Sequence, residues 1–142
     1  MKVPIVGSAE FIQVFIDEKM QELEVTLDAL TSLPNPHVAY YLLRQAGGVC
    51  KVLFLMRTAP SEMLQDLFDR FDSKQKTVLE HLVGKELADK QWSQAQLPIK
   101  LGGCGIRGAA TLADASYLMS RALTLTSCKR VDRKYVLSLI HI

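Results

Sequence analysis

From Ile12 to Leu30 the apolar residues Ile12, Ile16, Met20, Leu23, Leu27 and Leu30 step by four and by three. That spacing is one unbroken stripe down a single side of a helix. Asp17, Glu18, Glu22, Glu24 and Asp28 fall largely off it, so the helix must bury one face and hydrate the other. Ser8 supplies a capping oxygen ahead of the stripe, and Glu10 puts a carboxylate in the first turn, where the helix dipole favours negative charge. Leu33-Pro34-Asn35-Pro36 ends the helix.

The rest of the chain repeats this grammar. Asn35 as N-cap and Pro36 at the first helical position restart a helix at once. Its stripe is Val38, Ala39, Leu42, Leu43 and Ala46, closed by Gly47-Gly48. The run from Val49 to Met56 is almost wholly apolar and fits a buried strand or a buried short helix; the helical neighbourhood favours the helix. Pro60 interrupts, and Ser61 is placed to cap residues 61–83, whose apolar face is Leu64, Leu67, Phe68, Phe71, Val78, Leu79 and Leu82, with Gly84 just past the end. A short amphipathic turn spans Leu87 to Trp92. A last helix over 109–126 carries Leu112, Ala115, Tyr117, Leu118, Ala122 and Leu125. Five or six helices with short connections predict an all-α bundle, with a Gly-rich loop before the last helix. The helices over 9–33 and 61–83 have wide apolar faces, and in a fragment one of them is expected to have lost its partner. Residues 1–8 read as the end of a preceding domain or a linker, 9–128 as the helical domain, and 129–142 as a basic tail.

An apolar fraction of 49% with 23% charged residues is that of an ordinary globular domain with one core. The charge is unevenly placed. Residues 1–33 carry two lysines against six carboxylates, residues 34–89 balance seven against seven, and residues 90–142 carry eight Lys/Arg against two. A basic C-terminal third suits a polyanion, or forms a solvated face. Three widely spaced cysteines without a C-x-x-C pattern fit buried thiols in a reducing compartment. No signal peptide is expected after Lys2, and no apolar run approaches the ~18 residues of a membrane span. The expectation is a soluble intracellular chain, cytoplasmic or nuclear, with no membrane partner.

Four of the eight glycines fall between Leu97 and Gly108. Gly103-Cys104-Gly105-Ile106-Arg107-Gly108 is a literal G-x-G-x-x-G, but dinucleotide binding needs a buried strand before it and a helix after it. Here Pro98 and Lys100 interrupt a five-residue run, and everything earlier reads helical. The expectation is a multiply turned connection in which glycine permits positive φ and close approach. Lys100 and Arg107 flank this loop, Arg121 follows on the last helix, and Lys129, Arg130, Arg133 and Lys134 cluster beyond it. Positive charge beside glycine-rich turns is what phosphate contact requires, and solvated surface charge is the alternative. Trp92 and Tyr117 can stack on bases or fill the core. Asp66, Asp69 and Asp72 recur every three residues and read as a solvated helix face rather than a cation site. His37 reads as a surface residue and His81 as a packed, hydrogen-bonded one. Cys104, Cys128 and His141 match no structural zinc spacing.

The segment Leu97-Pro98-Ile99-Lys100-Leu101-Gly102-Gly103-Cys104-Gly105-Ile106-Arg107, followed by Ala109, Ala110, Ala113, Ala115 and Ser116, resembles the LPxxxGGLGIR segment of reverse transcriptases from non-LTR (LINE-like) retrotransposons. Cys104 replaces the usual leucine. Val3-Pro4-Ile5-Val6-Gly7-Ser8 is similar to the family's V-P-I-G-S at the end of the palm. Leu42-Leu43-Arg44, Arg57-Thr58-Ala59-Pro60 and Gln91-Trp92 stand at the expected distances, so the resemblance spans roughly residues 3–125. It implies the helical thumb region after the palm, which grips the RNA–DNA template–primer duplex. Leu97, Pro98, Gly102, Gly103 and Gly105 are then the structural motif, and Lys100, Arg107, Arg121, Lys129 and Arg130 the nucleic-acid candidates. The palm of the same polyprotein is the other implied partner. The family's Tyr/Phe-x-Asp-Asp is absent, and no Asp-Asp pair occurs anywhere in the sequence. Two-metal chemistry needs clustered carboxylates, so Mg2+ is expected only in that palm, and this chain carries no cofactor and no catalytic residue. Leu137-Ser138-Leu139-Ile140-His141-Ile142 resembles the in-frame translation of a transposase adapter used in sequencing libraries. The natural chain is therefore expected to continue past about Val136, and Met1 reads equally as a start or as an internal methionine. The alternative to a polymerase fragment is a stand-alone helical protein-interaction module whose exposed apolar stripes dock a partner.

Overall fold

The computed structural model describes residues 8–134, and among them there are six α-helices, two single 3-10 turns and no strand. The all-α bundle expected from periodicity is the observed fold. The palm-like Val3–Gly7 stretch and the terminal 135–142 stretch lie outside the described residues.

Helix α1 (Ala9–Thr31) starts where Ser8 Oγ accepts the Phe11 N–H at 3.3 Å. Its stripe is buried from Ile16 through Leu30. Asn35 Oδ1 accepts the N–H groups of His37 (2.9 Å) and Val38 (3.3 Å) and starts α2 (Pro36–Gln45). A 3-10 turn (Val49–Lys51) leads into the short α3 (Leu53–Thr58), so the ambiguous apolar run is helical. Helix α4 (Ser61–Val83) buries Leu64, Leu67, Phe68, Phe71, Val78 and Leu79, and ends at Gly84 with φ 68°. Helices α1 and α4 pack on each other. The two widest apolar faces therefore cover one another inside this chain. Burying such faces supplies ~25 cal/mol per Å² of apolar area.

Helix α5 (Asp89–Gln96) is longer than the single turn expected there. A second 3-10 turn (Ile99–Leu101) follows, and then α6 (Ala109–Val131) packs against α3 and α4. The α6 pattern is corrected most. It extends to Val131 rather than 126, and only Ala109 and Ala113 are buried in it. Ala115 and Ala122 are exposed and Tyr117, Leu118 and Leu125 half-buried. Small alanines let the first turns approach α3 and α4 closely, while Met119 and Leu123 stay 59% and 69% exposed.

Two other sequence expectations change. Ser61 is the first residue of α4 rather than its cap; buried, its hydroxyl donates to Asp114 Oδ1 on α6. Asp72 is not part of a solvated face. Its Oδ1 accepts the Ala109 N–H at 2.7 Å and its Oδ2 the Ala110 N–H at 3.1 Å. Gly108, at the N-cap of α6, has no side chain to do this, so a carboxylate of α4 caps α6 instead. Burial, against the lowering effect of those two bonds, holds the Asp72 pKa above the usual carboxylate value. No helix among the described residues is long and apolar enough to cross a membrane.

Candidate nucleic-acid interface

The Gly-rich segment folds back on the end of α5 through its own backbone. The Pro98 carbonyl accepts from Leu101 N–H (2.9 Å) and Gly103 N–H (3.2 Å), the Leu97 carbonyl from Gly105 N–H (2.9 Å), and the Ala95 carbonyl from Cys104 N–H (3.0 Å). This is possible because Gly102 (φ 79°) and Gly105 (φ 70°) sit in the left-handed region, while a Cβ on Gly103 would lie 2.1 Å from the Leu97 oxygen. The Tyr40 hydroxyl donates to the Cys104 carbonyl at 2.6 Å and ties the loop to α2. Ile106 plugs the loop into the core. A helix, not a strand, precedes these glycines, so the dinucleotide arrangement is not formed.

Anchored in this way, the loop brings Arg107 to Arg44 of α2. Both line a cleft of about 280 Å³ whose walls also include Gly48, Cys50 and Gly105. The Arg44 chain lies along Gly105, its Cδ and Nε 3.5 Å from where a Cβ would stand. A second cleft of about 170 Å³ has Arg44, Gly105 and Arg107 in common with the first and adds Pro98 and Ile99. On its far side Arg107, Gln96 and Pro98 also border a mostly apolar cleft of about 410 Å³ with Leu97 and Leu112. On the near side Cys50 is shared with a cleft of about 490 Å³ holding Phe54, Arg57 and Ser120. These four adjoining clefts carry three arginines in their walls and no carboxylate.

Among the described residues Arg44, Arg57 and Arg107 have no ion pair. Lys19, Arg70, Lys74 and Lys76, by contrast, each lie within 4.0 Å of an Asp or Glu oxygen on or beside α1 and α4. The Asp17 and Asp66 carboxylates hold the Arg70 guanidinium above its usual pKa, and the Lys19 ammonium lowers that of Glu22. The cations Lys19, Arg70, Lys74 and Lys76 thus have carboxylate partners, and the three arginines of the clefts have none among the described residues.

The other candidates scatter. Lys100 is exposed in the second 3-10 turn. Arg121 is half-buried, its guanidinium carbon 5.8 Å from the centroid of the Tyr117 ring. Lys129 and Arg130 occupy the last turn of α6 rather than a tail beyond it, about 30 Å along the axis from Arg107 at 1.5 Å per residue. Trp92 packs against the core. His37 is exposed, and His81, also exposed, keeps a hydrogen bond, its Nε2 3.2 Å from the Thr31 carbonyl oxygen. Among the described residues no three His, Cys, Asp or Glu side chains converge on a metal position. Asp66 pairs with Arg70, Asp69 accepts from Gln65, and Asp72 caps α6, so the three do not fit a Mg2+ ion. Arg44, Arg57 and Phe54 are additions from the structure. The two arginines stand within Leu42-Leu43-Arg44 and Arg57-Thr58-Ala59-Pro60, but nothing in those strings says that both face Arg107's side of the fold.

Over 109 residues, 77% of its length, the chain is 25% identical to the Retrotransposable element SLACS 132 kDa protein of Trypanosoma brucei gambiense. The chain spans 9% of that protein. No family model matches the chain, and no solved structure matches it.

Proposed function

We propose that this chain is a noncatalytic segment of a retrotransposon reverse transcriptase, the thumb-like region after the palm, and that it helps hold the template–primer duplex. The likeness to a retrotransposon protein over 77% of the chain carries this reading, and the uncompensated arginines of the cleft side support it. Cations without a protein partner are available to phosphates, and releasing the condensed counterions of a nucleic acid drives such binding. Phosphoryl transfer, with its Mg2+ ions, is assigned to the palm, because this sequence lacks the Asp-Asp pair that two-metal chemistry uses. Lys100, Arg107, Arg121, Lys129 and Arg130 contribute charge to the duplex-facing side, and the palm of the same polyprotein is the protein partner.

The test is the affinity of the 142-residue chain for an RNA–DNA hybrid duplex over a series of salt concentrations. The reading expects log affinity to fall linearly with log salt, by roughly 0.9 per phosphate contacted. Absence of salt-dependent binding in a folded sample rejects it. A second reading, a helical protein-interaction module, draws on the exposed Met119 and Leu123 of α6. It expects a folded chain without salt-dependent hybrid binding, whose association with a protein partner Leu123→Ser abolishes.

A further inference from the structure

The shape of the arginine-lined clefts says more than their charge. Arg44 and Arg107 approach one cleft from different elements, the last turn of α2 and the Gly loop, with Gly48 and Gly105 adding no side chain to its walls. A backbone running along it meets two guanidinium groups in turn. The outside of a duplex is convex and carries its bases directly behind each phosphate, so it can lie across the rim of such a cleft but cannot enter. One unpaired strand can enter, because its bases turn away from the backbone.

The flanks provide for those bases. Phe54 is 46% exposed, an aromatic face beside Arg57 in the cleft that adjoins through Cys50. On the opposite flank, Leu97, Pro98 and Leu112 line the mostly apolar cleft bordered by Arg107. A cationic track interleaved with an aromatic platform and an apolar recess is how proteins hold single strands without sequence preference. Each guanidinium offers forked donors that match phosphate oxygens.

We infer that these clefts bind a single unpaired nucleic-acid strand, with Arg44 and Arg107 on successive phosphates and Phe54 stacked on a base. This rests on the proposed function for its ligand class but assigns a different strand geometry, so the two can fail separately. In a polymerase the strand would be the unpaired template rather than the duplex held by the rest of the thumb.

The experiment compares a fluorescent oligouridylate with an RNA–DNA hybrid duplex, using the full 142-residue chain and its R44Q/R107Q, F54A and K129Q/R130Q variants. Helical circular dichroism and melting temperature are recorded for each. The expected result is that R44Q/R107Q weakens the single strand at least tenfold and lowers its salt slope by about 1.4, and weakens the hybrid by a clearly smaller factor, the part that Arg107 contributes to the duplex-facing side. F54A weakens the single strand by about fivefold or more, and K129Q/R130Q affects the hybrid more than the single strand. If wild type binds the hybrid but not the oligouridylate, or R44Q/R107Q weakens both equally, the inference is overturned and the duplex reading stands. If wild type binds neither, both fall. If single-strand affinity survives both R44Q/R107Q and F54A, the clefts are not its site.

Discussion

The α1–α4 side and the cleft side use similar residues to opposite ends. On the first, leucines, phenylalanines and a methionine interlock, and the surface cations are answered by acids: Arg70 by Asp17 at 2.6 Å, Lys74 by Asp28 at 2.7 Å. On the second, α6 is seated by two alanines, and the arginines facing the clefts are left without acids among the described residues. The difference teaches where stability is concentrated and where it is given up. Unneutralised charge gains nothing for the isolated fold, and under the proposed function it is what phosphates would meet.

Phe68→Ala should break the comparison most severely. Phe68 is fully buried in the α4 stripe, and its truncation leaves a cavity costing about 3–5 kcal/mol, read as a lowered midpoint in urea. Asp72→Ala comes next, at about 1–3 kcal/mol, because two amide groups at the start of α6 lose their acceptors. Hydrogen exchange should rise first in α6. The sign of the pH effect is distinctive. Burial raises the folded pKa of Asp72 above the unfolded value of about 3.9. The native state then holds the proton more tightly, so the Asp72 contribution to stability falls as pH rises from near 4 through the folded value. Asp72→Asn should remove that slope.

Gln75 offers a smaller change of opposite sign. It is fully buried within the α4 stripe, and its amide oxygen and nitrogen have no hydrogen-bond partner among the described residues. Gln75→Leu should stabilise by about 1 kcal/mol, raising the thermal midpoint. The smallest effects sharpen the contrast. Asp17→Asn breaks an exposed pair with Arg70 and should cost about 0.2–1 kcal/mol, less in high salt. R44Q/R107Q should alter stability by no more than about 0.5 kcal/mol while changing nucleic-acid affinity. A large loss of stability there would mean that the arginines serve the fold.

Much of the bundle was legible in order. The α1 stripe, the Ser8 and Asn35 caps, Pro36 and the Gly84 stop all depend on neighbours three or four residues away, and each took its expected place. The last helix was legible only in part. Its apolar pattern suggested a buried face, but only Ala109 and Ala113 of its first turns are buried, and a helix is covered only where a neighbour exists. The acidic triplet was read as solvated because spacing cannot reveal that one member meets a distant helix end. Lys129 and Arg130 were read as a cluster beyond the last helix, yet they lie in the last turn of α6, far from Arg107.

The sequence by itself determined the order of the helices, the starts of α1 and α2 and the stop of α4 at Gly84, the buried stripes of α1 and α4, and the glycines needed for a tightly turned loop, since all of these follow from short-range geometry and sterics. Only the tertiary structure decided that Asp72 caps α6, that Arg44 lies along Gly105 beside Arg107, and that no acid stands in the clefts they line. Those facts depend on which surfaces meet across dozens of residues, where contact is set by the packing of whole helices and not by the spacing within one.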